Sequence, residues 1–465
     1  MKEPVPTQSP ASKLRPTWII ACLAAAGLAF AASAHTTAEP PPDAPITPSQ
    51  DIGEDDDQAI ENAINELVAE GGDGGVVDRP TQIQAVPAAT ANAVIQHTDH
   101  LEGLKLWKKA RLNGDAYEAR TPDGKTARLS VNPPLQKQME KLLKMYRPVG
   151  AALVALDPKT GKVLALAEYA EGGNAEGLAT LATYPAASVF KIITGAALLE
   201  KGVRPDDEMC YHGGLHGLAA KLLKDTRLDR RCLSLSMALA KSANVVFAKM
   251  AVKHLDASEL RKEAEAFLFN RPIFDQPLGQ SSADIPETGL GFAKSAAGFG
   301  EVKLSPMHAA LIAASVGNGG IAVEPSMLES VDGEEVAPSG SVRLMKADTA
   351  VALRDMMKLT VSSGTATSSF RERQRNILGT IEVAGKTGSL ANHQKPFKDY
   401  SWFVGFAPAD DPKIAVAAVV VNGLKWRVHA PFVAREALKA YLVGGPIGNP
   451  PAARVRHYRK KHKRT

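Results

Sequence analysis

Strand-length apolar runs stand at both ends of one long stretch, and helix-like sequence fills the space between them. Ala151-Ala-Leu-Val-Ala-Leu156 and Val163-Leu-Ala-Leu-Ala167 lie near its start, joined by the turn Asp157-Pro-Lys-Thr-Gly161. Tyr400-Ser-Trp-Phe-Val-Gly-Phe406 and Ile414-Ala-Val-Ala-Ala-Val-Val-Val421 lie near its end, after a shorter signal at Ile381-Glu-Val-Ala-Gly385. Short apolar runs bounded by Gly, Pro and Asp read as strands. The sequence from about Arg204 to Arg373 reads as mostly helical, with loops rich in Gly and Pro. Strands far apart in the chain must then meet in one antiparallel sheet, with a helical lobe inserted between them, an α+β fold. Leu135–Met145 reads as a helix before the first strand and Ala430–Leu442 as one after the last. A third helix is expected from Ser188 through Leu199, with Gly202 just past its end. No fixed-period repeat appears.

The chain has 465 residues, enough for two or three domains, and its 45% hydrophobic and 23% charged content is that of an ordinary globular protein. The net charge of +5 hides three unlike regions. Residues 35–78 hold twelve acids and no Lys or Arg, whereas residues 451–465 hold seven Lys or Arg and no acid. The body, residues 79–450, carries 45 basic and 37 acidic side chains, a net of +8. That balance suits a substrate bearing carboxylates and is equally ordinary for a solvated surface.

Trp18 to Ala34 is an unbroken apolar run of 17 residues behind a weakly basic leader. It fits a short membrane anchor, and its end, Ala32-Ser-Ala34, fits signal cleavage before His35. Either reading exports the rest of the chain. Residues 1–34 are therefore assigned to a signal or anchor. Residues 35–96 read as an acidic, Pro-rich linker in which Ile60, Ile64, Leu67 and Val68 recur at helical spacing. Residues 97–131 turn strand-like, with turns at Asn113-Gly114 and Asp123-Gly124, and read as a small β-rich module. The main domain spans 132–445, and 446–465 form a basic tail that binds anionic lipid or polymer, or is simply solvated. Nucleic acid is excluded as a partner by the exported topology.

Export permits Cys210 and Cys232 to form a disulfide, worth about 3 kcal/mol in the chain-entropy model; two separately buried thiols are the alternative. No Cys-x-x-Cys occurs and the His residues are scattered, so no metal or other cofactor is expected.

The chemistry rests on three short motifs in order: Ser188-Val-Phe-Lys191, Ser242-Ala-Asn244 and Lys386-Thr-Gly388. A serine hydroxyl needs a neighbouring base, and on a helix positions i and i+3 share a face, so Lys191 stands one turn from Ser188. To act as base the lysine must be neutral, which calls for burial or a nearby cation such as Lys386. Ser188 begins the single Ser-x-x-Lys of the chain. Lys-Thr-Gly occurs also at Lys159 and Ser-x-Asn also at Ser130, but both precede Ser188 and break the order. The first of these decoys reads as a hairpin turn.

The trio, in this order, resembles that of class A β-lactamases and penicillin-binding proteins. Context narrows it. The Lys-Thr-Gly strand is followed by the aromatic strand Ser401-Trp-Phe-Val-Gly-Phe-Ala-Pro408, Gly364-Thr-Ala366 lies upstream, and Gly298-Phe-Gly-Glu-Val-Lys-Leu-Ser-Pro306 leads into a helix. From Val131 to Leu442 the chain is similar to the transpeptidase domain of penicillin-binding proteins. Phe299 departs from the pattern, since many relatives carry Gln there. The resemblance implies a β-lactamase/transpeptidase-like fold, a five-stranded antiparallel sheet with the active site between it and the helical lobe. It implies Ser188 as acylated nucleophile, Lys191 as general base and Ser242 as proton relay to the leaving D-alanine amine. Asn244 would hold the donor peptide amide, while Lys386 and Thr387, with Gly388 and Ser389 beside them, would bind the terminal carboxylate of D-Ala-D-Ala or of a β-lactam. The backbone N–H groups of Ser188 and Ser389 would form the oxyanion hole.

The implied activity is a D,D-transpeptidase cross-linking peptidoglycan stem peptides, with β-lactams as covalent inhibitors. Residues 35–131 are too short for a second catalytic domain of the usual ~100–200 residues, which points to a monofunctional protein working with a separate glycosyltransferase. A D,D-carboxypeptidase shares the first half-reaction and stays open as an alternative. A serine β-lactamase fits less well, because Ala243 stands where class A enzymes carry Asp and no deacylating Glu is identified. A sensor or scaffold that is merely acylated is the non-catalytic alternative. The expected location is outside the cytoplasmic membrane, on a single N-terminal span, or in the periplasm after cleavage.

Overall fold

The computed structural model describes residues 83–84, 100–274, 279–338, 340–373, 375–392 and 395–451. The apolar run Trp18–Ala34, the helical spacing at Ile60–Val68 and the tail beyond Pro451 lie outside the described residues. Among the described residues no helix is long and apolar enough to cross a membrane.

The central sheet joins the two ends of the body. Its strands are β1 (Gly150–Leu156), β2 (Val163–Ala170), β3 (Ala384–Asn392), β4 (Lys398–Ala407) and β5 (Ile414–Asn422). They lie in the order β3-β4-β5-β1-β2, every neighbouring pair antiparallel. The helices that build the core and the site are α1 (Pro133–Tyr146), α2 (Lys191–Glu200), α3 (Leu235–Ala240), α4 (Asn244–His254), α5 (Pro306–Gly317), α6 (Ala347–Ser362) and α7 (Ala430–Leu442).

Side chains alternate across a strand, so one apolar run can serve two cores. In β1, Ala152, Val154 and Leu156 enter the core shared with α2 and α5, while Ala151, Leu153 and Ala155 enter that shared with α1 and α7. In β5, Ala417, Val419 and Val421 face the first core, and Val416, Ala418 and Val420 the second. Burying each Val or Leu contributes about 1.5–3 kcal/mol. This double coverage explains why Ile414–Val421 is apolar throughout. Between β2 and β3 the lobe is dominated by helices and also carries a hairpin, Glu208–Tyr211 with Arg231–Ser234, in which Cys210 and Cys232 are directly paired and joined by a disulfide.

Two local expectations differ. The strand-like pattern from His97 begins instead with a helix, His100–Trp107. Leu104, Leu106 and Trp107 satisfy either period, and packing decides: Leu106 is buried and Trp107 meets Tyr117 edge-on, ring centroids 5.0 Å apart. The strands Arg111–Asn113, Ala116–Arg120 and Thr126–Leu129 follow, and their sheet is completed by Leu328–Val331 and Glu334–Glu335 from within the body. The strand expected over Ile381–Gly385 instead spans Ala384–Asn392, so Lys386-Thr-Gly-Ser389 lies in its interior. Pairing with β4 begins only at Ala384 opposite Phe406 and continues through the motif to Asn392.

Candidate active site

The segment carrying Ser188 is held from three sides. Ser188 lies in a single 3-10 turn, Ala187–Phe190, and α2 begins only at Lys191, three residues later than the start expected from the sequence. Phe190, Ile192 and Ile193 anchor it in the core. Trp402 of β4 donates its indole N–H to the Pro185 carbonyl at 2.9 Å. Behind it Gly298 has φ +86°, and a Cβ there would stand 2.2 Å from the Ala187 carbonyl oxygen. Ala187 itself has φ +48°, a left-handed conformation that costs a non-glycine residue about 1–3 kcal/mol and persists where function demands it.

Lys191 Nζ lies 3.0 Å from Ser188 Oγ and 2.8 Å from Asn244 Oδ1, and it also contacts the Ala297 carbonyl. The lysine is fully buried, with the rings of Phe247 and Phe299 at 5.7 and 5.9 Å from Nζ. Burial first, and the neighbouring Lys386 charge second, push its pKa well below the ordinary lysine value. An ammonium has three donors and no lone pair, so in that state all three contacts are donations. After losing one proton, the amine keeps two N–H bonds for the Asn244 and Ala297 oxygens. Its one lone pair is then left for the Ser188 hydroxyl.

Across the cleft, Lys386 of β3 donates to Ser242 Oγ at 2.9 Å and to the Thr387 carbonyl at 2.8 Å. It too is fully buried, and burial lowers its pKa to about 7. Ser242 has φ +55°, the second left-handed non-glycine residue at the site, and leads directly into α4. Gly388 brings β3 close to the nucleophile turn, for a Cβ there would meet Trp402 Cβ at 3.1 Å and Val189 Cγ2 at 3.3 Å. Thr387 is hydrogen-bonded through its hydroxyl to Thr365, and Ser389 is exposed on the same face of the strand. Asn244 Nδ2 donates to the His216 carbonyl at 2.7 Å.

All the motif residues therefore meet in one place: Ser188, Lys191, Ser242 and Asn244 from the helical lobe, and Lys386 through Ser389 from the sheet edge. No carboxylate is among the described hydrogen-bond or ion-pair partners of Ser188, Lys191, Ser242 or Lys386. The decoys lie in ordinary structural roles. Ser130 Oγ donates to the Val163 carbonyl, Asn132 caps α1 by accepting from Leu135 N, and Lys159 pairs with Asp411 at 2.7 Å in the hairpin turn. The Ala297 and His216 carbonyls were not foreseeable, because backbone acceptors leave no mark in a sequence. Thr365 had a signal, in Gly364-Thr-Ala366.

The family model described as penicillin binding protein transpeptidase domain matches residues 151–439. The peptidoglycan D,D-transpeptidase PbpA of Mycobacterium tuberculosis is 29% identical over 375 residues, 71% of this chain and 75% of that protein. Its counterpart in Mycolicibacterium smegmatis is 27% identical over 374 residues, 69% of this chain and 74% of that one. Among solved structures, penicillin-binding protein A of M. tuberculosis as an imipenem acyl-enzyme complex superposes with a TM-score of 0.57 at 25% identity, covering 69% of this chain and 80% of that one. The D,D-transpeptidase domain of a peptidoglycan glycosyltransferase from Eggerthella lenta shares the fold, with a TM-score of 0.55 at 23% identity over 70% of this chain and 95% of that one.

Proposed function

The chain belongs to the penicillin binding protein transpeptidase family, and from that premise we propose that it cross-links peptidoglycan stem peptides through an acyl-serine intermediate at Ser188. The observation that carries the reading is the threefold coordination of Lys191, which leaves a neutral amine one lone pair aimed at Ser188 Oγ.

In the first half-reaction Ser188 Oγ attacks the carbonyl carbon of the penultimate D-alanine, and its proton passes to Lys191. The tetrahedral oxyanion takes hydrogen bonds from the backbone N–H groups of Ser188 and Ser389, each worth about 3–4 kcal/mol. The C–N bond then breaks, and the departing D-alanine amine takes a proton through Ser242. Lys386 and Thr387 hold the terminal carboxylate, and the second N–H of the Asn244 amide holds the donor peptide. In the second half-reaction an acceptor amine attacks the ester carbon, the new amide bond forms as the bond from that carbon to Ser188 Oγ breaks, and a proton from the acceptor amine passes to Ser188 Oγ.

β-Lactams would enter by the same first step and remain as esters. A separate glycosyltransferase would supply the glycan strands. The catalytic domain would work on the outer side of the cytoplasmic membrane, held by the run Trp18–Ala34, or free in the periplasm after cleavage before His35. That no carboxylate is among the described partners of Ser188, Lys191, Ser242 and Lys386 favours a long-lived acyl-enzyme over β-lactam hydrolysis.

The test is incubation with a pentapeptide donor and an amine acceptor, with products separated by mass. Cross-linked dimer is expected, and hydrolysis alone would make the protein a D,D-carboxypeptidase. Ser188→Ala should abolish both fluorescent-penicillin labelling and dimer formation. Persistent labelling would overturn the nucleophile assignment.

A further inference from the structure

The proposed reaction leaves one buried lysine unused. Lys249 lies five residues into α4 from Asn244, its side chain 2% exposed, on a helix that reads Asn-Val-Val-Phe-Ala-Lys-Met-Ala-Val. It donates to Asp229 Oδ2 at 2.8 Å and to the Cys210 carbonyl at 3.0 Å, and pairs with Asp225 at 2.7 Å. Asp229 is 7% exposed; its other oxygen meets His212 Nδ1 at 2.6 Å, and Oδ2 also accepts from Thr226 N at 3.0 Å. All these partners belong to the segment closed by the Cys210–Cys232 disulfide.

The same segment supplies the two carbonyls that hold the start of α4. Leu215 accepts from Asn244 N and His216 accepts from Asn244 Nδ2, both at 2.7 Å. Leu218 and Leu223 add apolar contact with Ala248 and Val252 of α4. Between its two strands the segment contains only one short 3-10 turn, Ala220–Leu222, so little regular structure of its own fixes those carbonyls. Its attachment to α4 has to do so.

A side-chain amide presents a donor at one end and an acceptor at the other. A carbonyl can only accept, so the His216 oxygen selects the orientation in which Nδ2 faces the loop and Oδ1 faces Lys191. In the flipped orientation an amide N–H would point at the Lys191 amine. A neutral amine would answer with its one lone pair, and Ser188 would lose its base.

We propose that the disulfide-closed segment 210–232, clasped to α4 by Lys249 and Asp229, orients the Asn244 amide and so reserves the Lys191 lone pair for Ser188. Lys249 and Asp229 are positioning residues, acting through His216 and Asn244. The inference rests on Lys191 being the general base of the proposed reaction.

The test uses the full chain and a fluorescent penicillin, with the binding constant and the acylation rate constant determined separately by stopped flow. Lys249→Met and Asp229→Asn are expected to lower the acylation rate constant about tenfold or more, the range of one misplaced catalytic contact, with the penicillin Kd unchanged. Reduction of the wild-type disulfide should lower the same rate constant, and reoxidation should restore it. A folded Lys249→Met protein that acylates at the wild-type rate overturns the proposal, as does a change in Kd alone. If that variant fails to fold, the reduced wild-type protein decides: an unchanged rate constant overturns the clasp. Wild-type protein that is not acylated at all overturns the proposed function and this inference together, whereas wild-type acylation matched by every variant overturns only this inference.

Discussion

Lys386 Nζ donates a hydrogen bond to Ser242 Oγ at 2.9 Å, linking the edge strand of the sheet to the helical lobe across 144 residues of chain. The contact defines what the serine can do. Because Ser242 Oγ accepts from Lys386, its own O–H hydrogen is left free for another acceptor, which in the proposed reaction would be the leaving amine. A substrate carboxylate arriving at Lys386 adds negative charge beside a group whose pKa is already about 7, and so favours its protonated form. In the proposed reaction, substrate binding and readiness of the proton relay would thus be coupled through one ammonium.

Ser242→Ala removes the relay while Lys386 keeps the Thr387 carbonyl as a partner at 2.8 Å. Acylation should slow by about 10²–10⁴-fold, the usual worth of a positioned acid–base group, with little change in thermal stability. Stopped-flow acylation and a melting curve check the two halves.

Lys386→Met separates function from stability. The loss of charge-assisted hydrogen bonds to the carboxylate should weaken substrate binding by about 1.5–3 kcal/mol. Stability should move the other way. The folded-state pKa of about 7 lies below the ordinary 10.5, so the unfolded chain binds more protons between those values and wild-type stability rises with pH across that window. The variant is freed of this cost, and its gain in Tm over wild type should be largest at and below pH 7 and shrink as the pH approaches 10.5.

The rate of acylation should follow a bell in pH. The acid limb requires a neutral Lys191, whose pKa burial and the Lys386 charge hold well below the usual 10.5. The alkaline limb requires a protonated Lys386 in the free enzyme, with a pKa of about 7. The two amines interact, so the apparent values belong to the pair. With Lys386→Met the alkaline limb should disappear and the acid limb shift to higher pH, because the repelling charge is gone and burial alone still depresses the Lys191 pKa; an acid limb that moves lower instead would contradict repulsion as a cause of the Lys191 shift. The sign follows from charge: removing a cation stabilises the protonated form of its neighbour, which raises the Lys191 pKa.

Much of this site was legible because its chemistry is local. Ser188 and Lys191 are one turn apart, and their spacing alone put them within hydrogen-bond reach. The sheet was legible from Ala151–Leu156 and Ile414–Val421, whose unbroken apolar character reflects burial on both faces. The helix at His100–Trp107 was misread because eight residues with four large apolar side chains satisfy either period until packing against Met327 and Leu328 decides. Lys249 carried a faint mark, a cation with Val245, Val246 and Val252 one turn to either side, although Lys253 also stands one turn on. The carbonyls of His216 and Ala297 had none, since a backbone oxygen is the same in every residue and only the fold gives it a direction.

Gly298→Ala is the most local test of how the nucleophile is supported. A Cβ at that position would lie 2.2 Å from the Ala187 carbonyl oxygen and 3.1 Å from Ser188 Cα, and the neighbours are backbone, with no flexible side chain to yield. The φ of +86° adds a penalty that glycine escapes. Relief requires moving either residues 297–298, which carry the Ala297 carbonyl bonded to Lys191, or the turn that holds Ser188. Either movement separates nucleophile from base. The expected result is a stability loss of about 1–3 kcal/mol from the strained backbone and an acylation rate reduced about 10²-fold, the effect of a displacement near 1 Å. Acylation at the wild-type rate would show that the Ser188 turn is held by Trp402 and the core alone.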